Sequence, residues 1–206
     1  DLIQTRKGLA KLDHLVVQDI FMTETAWFAD IILPASAHAE KLGTYTNTNR
    51  QVQIGRNVVE PPKGVKQDWW IIQEIAKRIG LNWNYTSPKE IFDEMKLIMP
   101  SLNNISWERL EKENYVTYPV KSENALGEEI IFHDGFPTSN KLGKIMPVDI
   151  IYPNDEISSD FPMILSTGRL LEHWHTGTMT RRALVLDELE PVPIIFINEI
   201  DSKFYE

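Results

Sequence analysis

The chain has 206 residues, 42% of them hydrophobic and 25% charged, which is the composition of a globular protein with enough apolar content for a buried core. Its net charge of -9 disfavours nucleic acid and anionic membrane surfaces as partners, because both attract a distributed positive field. The absence of cysteine excludes disulfides, a cysteine nucleophile and an iron–sulfur cluster ligated by this chain.

The first half of the sequence alternates strand-like and helix-like segments. Residues 13–19 form a short apolar run that ends in polar residues, which predicts a buried parallel strand with its carboxyl end exposed. Residues 23–25 precede a capped helical turn at 26–29, and residues 30–34 predict a second buried strand that ends at a proline. The polar run at 43–49 predicts a loop.

Two helices are predicted after a rigid turn at Pro61-Pro62. Asp68 is expected to cap the first helix, which Gly80 ends, and its apolar face would consist of Trp69, Ile72, Ile75, Ala76 and Ile79. Ser87 caps the second helix and Pro88 occupies its first position. Residues 103–144 predict irregular structure with turns.

The polar stretch that begins at Pro153 is the best domain boundary, so we predict two domains, at 1–153 and 154–206. The first is α/β. The second begins with a strand at Phe161–Ser166, which leads into Thr167, Gly168 and Arg169.

The N-terminus does not have the features of a signal peptide, and no apolar run has the length needed to cross a bilayer. The first residues lack an initiator methionine and a sustained apolar run, and the longest apolar candidates, such as 31–37, contain a proline and are too short for a bilayer. The ends resemble cut ends, so we expect a piece of a longer polypeptide. Cytoplasmic residence is the default expectation, because an export signal would lie upstream.

Residues 173–182, HWHTGTMTRR, concentrate hydrogen-bond donors in ten positions. With Thr167 and Arg169 they supply hydroxyls, guanidinium groups and imidazoles, and Gly168 and Gly177 permit close backbone approach. Such donors suit anionic oxygens, above all phosphates. The positive charge is local on an acidic chain, which indicates a binding site.

Other interpretations of this stretch compete with a phosphate site. His173 and His175 could bind a metal if they lay on one strand, where alternate residues share a face, but we do not expect a metal site here. Arg181 and Arg182 could be a solvated surface pair, and each histidine could be a core residue with satisfied nitrogens. The density of donors favours the ligand interpretation.

Residues 167–182 closely resemble a stretch of the molybdopterin oxidoreductases, specifically the formate dehydrogenase branch, where it opens the C-terminal cofactor-binding domain. Residues 16–53, VVQDIF through RQVQ, are similar to the third domain of that family, and residues 143–153, GKIMPVDIIYP, resemble the lead-in to its last domain. The likeness runs from about Leu12 to Asn198.

The resemblance implies a Rossmann-like α/β domain followed by the start of a double-psi type β-barrel, truncated in this chain. It also implies a bis-molybdopterin guanine dinucleotide cofactor carrying molybdenum or tungsten, and oxidation of formate to carbon dioxide in the parent enzyme. Related alternatives are a nitrate reductase, a respiratory subunit of this fold that has lost its metal, and a metal-free nucleotide-binding or interaction module.

The resemblance also implies roles for particular residues. Gln18 and Asp19 lie at the predicted carboxyl end of a strand, where open α/β sheets bind ligands, so Asp19 is expected to recognise the guanine base and Thr23 the ribose or phosphate. A turn or cap acid is the alternative for Asp19. The contacts expected for the pterin or pyrophosphate are Thr167, Gly168, Arg169, His173, His175, Thr176 and Thr178. Arg181 and Arg182 would brace the loop against neighbouring carboxylates.

Several parts of the family's machinery are not in this sequence. Its cysteine or selenocysteine metal ligand, its active-site histidine and the cysteines of its iron–sulfur cluster are expected upstream, so we predict neither a catalytic nor a metal-ligating residue here. The isolated chain is expected to be inactive. Its partners would be the rest of the catalytic subunit and the electron-transfer subunits of the complex, with no nucleic acid and no membrane insertion.

Overall fold

The computed structural model describes residues 2–205 and divides the chain into two compact units, residues 1–145 and 146–206. Its helices are α1 (Leu2–Leu9), α2 (Asp68–Arg78), α3 (Pro88–Ile98), α4 (Trp107–Glu113), α5 (Leu184–Leu189) and α6 (Glu199–Tyr205). Its strands are β1 (Val16–Asp19), β2 (Ile31–Pro34), β3 (Gly43–Thr46), β4 (Gln51–Gly55) and β5 (Tyr115–Thr117). The chain is thus mixed α/β with small sheets, while the assignment of domains at 1–153 and 154–206 stays a prediction.

The first unit contains a parallel pair of strands, as the sequence predicts. In β1 and β2, Val16 lies opposite Ile31 and Asp19 opposite Pro34. The expectation that these strands are buried is wrong at their first residues, since Val16 is 44% exposed and Ile31 46%. An apolar run predicts a strand whose two faces are both covered by other parts of the protein, but a sheet of two strands covers little of its own surface.

A second, antiparallel sheet has the strand order β3-β4-β5. The prediction of a loop over 43–49 is therefore wrong for 43–46, where threonine and tyrosine side chains favour an extended backbone. The turn is confined to the following residues, and the amide of Arg50, which has a φ of 66°, donates to the carbonyl of Asn47. Gly55 lies opposite Gly43, and the ring of Tyr45 packs over it so closely that a Cβ at position 55 would overlap the ring.

The hydrophobic core of the first unit lies between the antiparallel sheet and α3 and α4. The rings of Phe92 and Trp107 pack edge to face with centroids 6.3 Å apart, and Ser106 caps α4 by accepting a hydrogen bond from the amide of Arg109. The prediction of irregular structure over 103–144 is wrong at α4 and β5, elements too short for periodicity to reveal. The buried core residues are Val52, Ile54, Phe92, Leu102, Ile105, Trp107, Leu110, Val116 and Val120.

Helix α2 has nearly the predicted bounds but a different buried face. Gly80, with a φ of 90°, follows its end, as expected. The buried residues are Ile71, Gln73 and Ala76, and Trp69 is half-buried. The predicted apolar face is wrong at Ile72, Ile75 and Ile79, which are 51%, 46% and 72% exposed.

Neither predicted side-chain cap forms. Asp68 is the first residue of α2, where the cap residue Gln67 makes no side-chain cap, and the Asp68 carboxylate binds other side chains. Ser87 precedes α3, with Pro88 at its start as expected, but its hydroxyl makes no cap hydrogen bond.

The second unit contains one 3-10 turn, Thr180–Arg182, and the helices α5 and α6, with no strand among its described residues. The strand predicted at Phe161–Ser166 is therefore wrong. Phe161 and Ile164 are 76% and 83% exposed, and an apolar run remains irregular where no second strand pairs with its backbone. The β-barrel stays a prediction.

Over residues 2–205 no helix combines the length and the apolar character that crossing a bilayer requires. In the same part of the chain, no three His, Cys, Asp or Glu side chains are grouped to hold a metal ion.

Leu110 provides a test of the core. Its side chain is fully buried at 0% exposure, so we expect Leu110→Ala to lower the free energy of unfolding by about 2–5 kcal/mol through lost burial and a residual cavity. Urea denaturation measures this change. Leu97→Ala is the matched control, because Leu97 is 82% exposed and its truncation should change stability by less than about 0.5 kcal/mol. Equal effects at both positions would contradict the described core.

Candidate functional site

The ten predicted site residues fall into two groups, one within each unit. Gln18, Asp19 and Thr23 lie at and just after the carboxyl end of β1. The second group, between 167 and 178, is irregular backbone before the 3-10 turn of the second unit.

Gln18 joins a polar cluster that the sequence did not reveal. Its side-chain amide donates to Oδ1 of Asp68 at 2.7 Å, and Lys41 Nζ donates to Oδ2 of Asp68 at 2.5 Å. We call these three residues the carboxyl-edge cluster. Asp68 was interpreted as a helix cap, and only the fold brings residues separated by 50 positions into contact.

The Asp68 carboxylate is held in its charged form. Partial burial raises its pKa, but hydrogen bonds from Lys41 and Gln18 outweigh this effect, so the pKa lies below the ordinary value of 3.8. The cluster therefore contains an anion at neutral pH beside a lysine cation.

Asp19 and Thr23 both support the backbone that follows β1. Oδ1 of Asp19 accepts hydrogen bonds from the amides of Ile20 and Phe21 at 2.7 and 3.1 Å, which is an Asx turn and agrees with the alternative interpretation as a turn acid. Thr23 Oγ1 accepts from the amide of Ala26 at 3.3 Å and so supports the start of the 3-10 turn Ala26–Phe28, whose cap residue Thr25 makes no side-chain cap. Among residues 2–205, hydrogen bonds engage only one oxygen of the Asp19 carboxylate.

A buried hydroxyl lies near the carboxyl end of β2. Ser36 is 1% exposed, and its amide donates to the carbonyl of Lys66 at 3.0 Å. Its Oγ has no hydrogen-bond partner among the described residues. A buried hydroxyl without a hydrogen-bond partner is costly relative to one that is paired.

In the second unit, Arg169 and His175 lie together on the wall of a concave surface of about 770 Å³. Arg169 Nη1 is 3.2 Å from His175 Nδ1. Because a guanidinium only donates, Nδ1 must accept and the proton of neutral His175 is on Nε2. The pair thus has further N–H donors beyond those it uses internally. The same surface is lined by Leu170, Leu171, Glu172, His173, Trp174, Thr180 and Leu186.

The backbone around His175 is strained. His175 has a φ of 52° and Gly177 a φ of 75°, both in the left-handed region. Glycine adopts this conformation freely, but a side-chain residue adopts it at a cost of about 1–2 kcal/mol. Conformations of this kind persist where the surroundings impose them, and they cluster at ligand-binding loops.

His173 is buried, at 8% exposure, with both ring nitrogens engaged. Nε2 lies 2.8 Å from the carbonyl of Glu190, so Nε2 donates; Nδ1 lies 3.2 Å from Thr180 Oγ1 and accepts from it. Thr180 Oγ1 in turn accepts a hydrogen bond from the amide of Trp174 at 3.2 Å.

The remaining residues of the second group line up along the same segment. The hydroxyls of Thr176 and Thr178 are 3.2 Å apart, and Thr167 and Gly168 are exposed. A Cβ at Gly168 would meet no atom within 4 Å, so the chain itself does not require glycine there.

The two adjacent arginines contact the protein itself. Arg181 pairs with the carboxylate of Asp187 at 2.9 Å, which confirms its expected bracing role. Arg182 donates from Nε to the carbonyl of Thr178 at 3.1 Å, so its described contact is a carbonyl rather than a carboxylate.

Comparison with known proteins connects these clusters to one family. The family model for molybdopterin oxidoreductase matches residues 1–78. The chain is 43% identical over 205 residues to the F420-dependent formate dehydrogenase subunit alpha of Methanocaldococcus jannaschii, covering 98% of this chain and 30% of that protein. It is 40% identical over 208 residues to F420-dependent formate dehydrogenase 2 subunit alpha of Methanococcus maripaludis, covering 100% of this chain and 29% of the relative.

The chain therefore spans about 30% of the length of these two relatives. Among solved structures, acetylene hydratase from Pelobacter acetylenicus is 27% identical, with a TM-score of 0.47 over 58% of this chain and 16% of its own.

The carboxyl-edge cluster predicts a pH-dependent contribution to stability. Because the pKa of folded Asp68 lies below 3.8, its contribution is present above that pH and is lost as the pH falls through the folded-state value. We expect Asp68→Asn to cost about 1 kcal/mol at neutral pH, since solvent screens this half-exposed pair, and to cost less as the pH approaches about 3. Urea unfolding at both pH values measures the difference.

Glu24→Gln is the control for this prediction. Glu24 pairs with Arg6, but the two side chains are 83% and 50% exposed, so its removal should have little effect at either pH. An Asp68→Asn cost that grew on acidification would contradict the assigned sign.

Proposed function

We propose that this chain, which belongs to the molybdopterin oxidoreductase family, forms part of the cofactor-binding cradle of a formate dehydrogenase catalytic subunit. The observation that carries the proposal is the Arg169–His175 pair, whose N–H donors line a concave surface on a chain of net charge -9. This donor set fits the phosphate-bearing arm of a molybdopterin guanine dinucleotide.

The second unit would bind the anionic and pterin portions. Arg169 would donate charge-assisted hydrogen bonds to phosphate oxygens, and the Nε2–H of His175 would donate a further one. The neighbouring hydroxyls of Thr176 and Thr178 add donors, and Thr167 and Gly168 bring exposed backbone close to the ligand. Local positive charge is what an acidic protein needs in order to hold a pyrophosphate.

The first unit would recognise the guanine end. The carboxyl end of parallel strands is where open α/β sheets bind ligands, and β1 ends there with Gln18 and Asp19. The uncommitted oxygen of Asp19 can accept hydrogen bonds from the imide and amino groups of a guanine edge. Gln18 fixes the ionised Asp68 nearby, and Thr23, at the following turn, is proposed to lie near the ribose or phosphate.

The chain's residues bind and orient, while the chemistry belongs to the cofactor. When bound, the bis-molybdopterin guanine dinucleotide supplies molybdenum or tungsten as the centre at which formate is oxidised to carbon dioxide. Arg169 and the threonines would hold the phosphates, Asp19 would fix the base, and the strained turn at His175 would hold its imidazole in place. The proposal includes a Rossmann-like first domain and a double-psi type barrel for the second.

The proposed chain acts within a larger assembly. The relatives are named as alpha subunits and are more than three times as long, which supports a role as one portion of a catalytic subunit that works with electron-transfer subunits. The isolated chain is proposed to have no activity of its own.

Arg169→Gln tests the phosphate contact. In the subunit that contains this chain, the substitution removes a charged donor and should lower cofactor affinity by about 10- to 100-fold, the equivalent of a charge-assisted hydrogen bond. Fluorescence of the oxidised pterin and metal analysis measure cofactor retained per subunit. The control is Arg78→Gln, which removes an exposed arginine paired with Glu74 on α2. Full cofactor retention in Arg169→Gln would refute the contact.

The substrate is tested on the same intact subunit. With an artificial electron acceptor we expect turnover of formate to carbon dioxide, and no reduction of nitrate in the presence of a reduced dye. No turnover of formate together with turnover of nitrate would assign the subunit to the alternative branch of the family.

The dinucleotide form of the cofactor is tested separately by acid hydrolysis. Release of a cofactor without guanine nucleotide would overturn the proposed dinucleotide.

A further inference from the structure

We infer that His173 is a positioning residue that shapes the 173–182 loop and does not itself contact the bound ligand. This inference rests on the proposed function for the identity of the ligand. It separates His173 from His175, two positions away, although the sequence presents the two histidines as equivalent.

The hydrogen-bonding capacity of His173 is used up within the protein. Neutral imidazole has one donor and one acceptor; the donor is directed at the carbonyl of Glu190 and the acceptor at the hydroxyl of Thr180. His173 lines the concave surface, but the residue is only 8% exposed and its ring has no free polar atom for a phosphate. A direct contact would require breaking one of these bonds.

The same bonds connect three separate points of the chain. Thr180 Oγ1 accepts from the amide of Trp174 and donates to His173, and His173 continues to the carbonyl of Glu190, so one hydroxyl and one ring join residues 173–174, 180 and 190. This network closes the loop across its base. A closed loop can impose the left-handed conformation of His175, whose φ is 52°.

His175 differs from His173 in each of these respects. Its residue is exposed, its ring packs edge-on to Trp174 at 4.8 Å, and its Nδ1 is turned towards Arg169. The direct contacts are therefore Arg169 and His175, and His173 acts on them through Thr180.

A double-mutant cycle on the intact subunit tests this division. The variants are His173→Ala, Thr180→Val and the double substitution, with Thr180→Ser as the conservative variant that keeps the hydroxyl. The first readout is the rate of tryptic cleavage after Arg181 and Arg182 in the cofactor-free subunit, identified by mass spectrometry. The second readout is cofactor retained per subunit. Cleavage after Arg78, in the first unit, controls for general unfolding.

If His173 positions the loop through Thr180, each single variant should raise loop cleavage about tenfold, the effect of leaving one buried polar group unpaired. Each should also lower cofactor retention. The double variant should be no worse than the more severe single, because residues of one network are not additive, and Thr180→Ser should retain the wild-type rate. Cleavage after Arg78 should not change.

The inference is overturned if His173→Ala lowers cofactor retention while Thr180→Val changes neither readout, since His173 would then contact the ligand directly. It is also overturned if neither variant changes loop cleavage. Failure of the proposed function looks different: Arg169→Gln would leave cofactor retention unchanged, while the two loop variants would still accelerate cleavage in the cofactor-free subunit.

Discussion

The ionised carboxylate of Asp68 is the point on which the candidate site of the first unit depends. Asp68 is the first residue of α2. Its carboxylate accepts hydrogen bonds from Gln18, near the end of β1, and from Lys41, two residues before β3. The side chains of Lys41 and Asp68 are 27% and 39% exposed, so solvent screens the pair and its contribution to stability is about 1 kcal/mol or less. A single buried leucine such as Leu110 contributes more. The cluster therefore matters for geometry, and the core supplies the stability.

In the second unit, too, side chains join distant parts of the chain, but they do so through neutral groups. His173 and Thr180 join distant backbone positions through directed hydrogen bonds, and the guanidinium of Arg169 and the imidazole of His175 remain on the accessible surface. A buried neutral network avoids the desolvation cost of a buried ion and leaves the guanidinium charge available to a ligand. Arg181 differs from Arg169 in this respect, because its charge is already paired with the carboxylate of Asp187.

The sequence predicts those features that follow from local chemistry. The parallel strands at β1 and β2, the bounds of α2, the start of α3 and the placement of Gln18 and Asp19 at a strand end all depend on patterns within about ten residues. The strand at 43–46, the partners of Asp68 and the buried face of α2 depend on residues far away in the chain. Thr44 and Tyr45 are polar enough for a loop, and only pairing with β4 makes them a strand. Composition likewise cannot distinguish His173 from His175, because the two histidines differ in burial and burial depends on the fold.

The hydrogen-bonding groups of each unit, taken separately, decide which kind of ligand atom that unit could bind. A purine edge such as that of guanine presents N–H donors and is recognised by carboxylate oxygens, whereas a pyrophosphate presents only acceptors and requires N–H and O–H donors. At the end of β1 the uncommitted oxygen of Asp19 is an acceptor, while both oxygens of Asp68 are used by Gln18 and Lys41. The second unit offers the donors of Arg169, His175 and two threonines. A general anion-binding surface would need excess positive charge throughout, which a chain of net charge -9 does not have. Donors concentrated at Arg169, His175 and their neighbouring threonines are instead the arrangement of a local site for anionic oxygens.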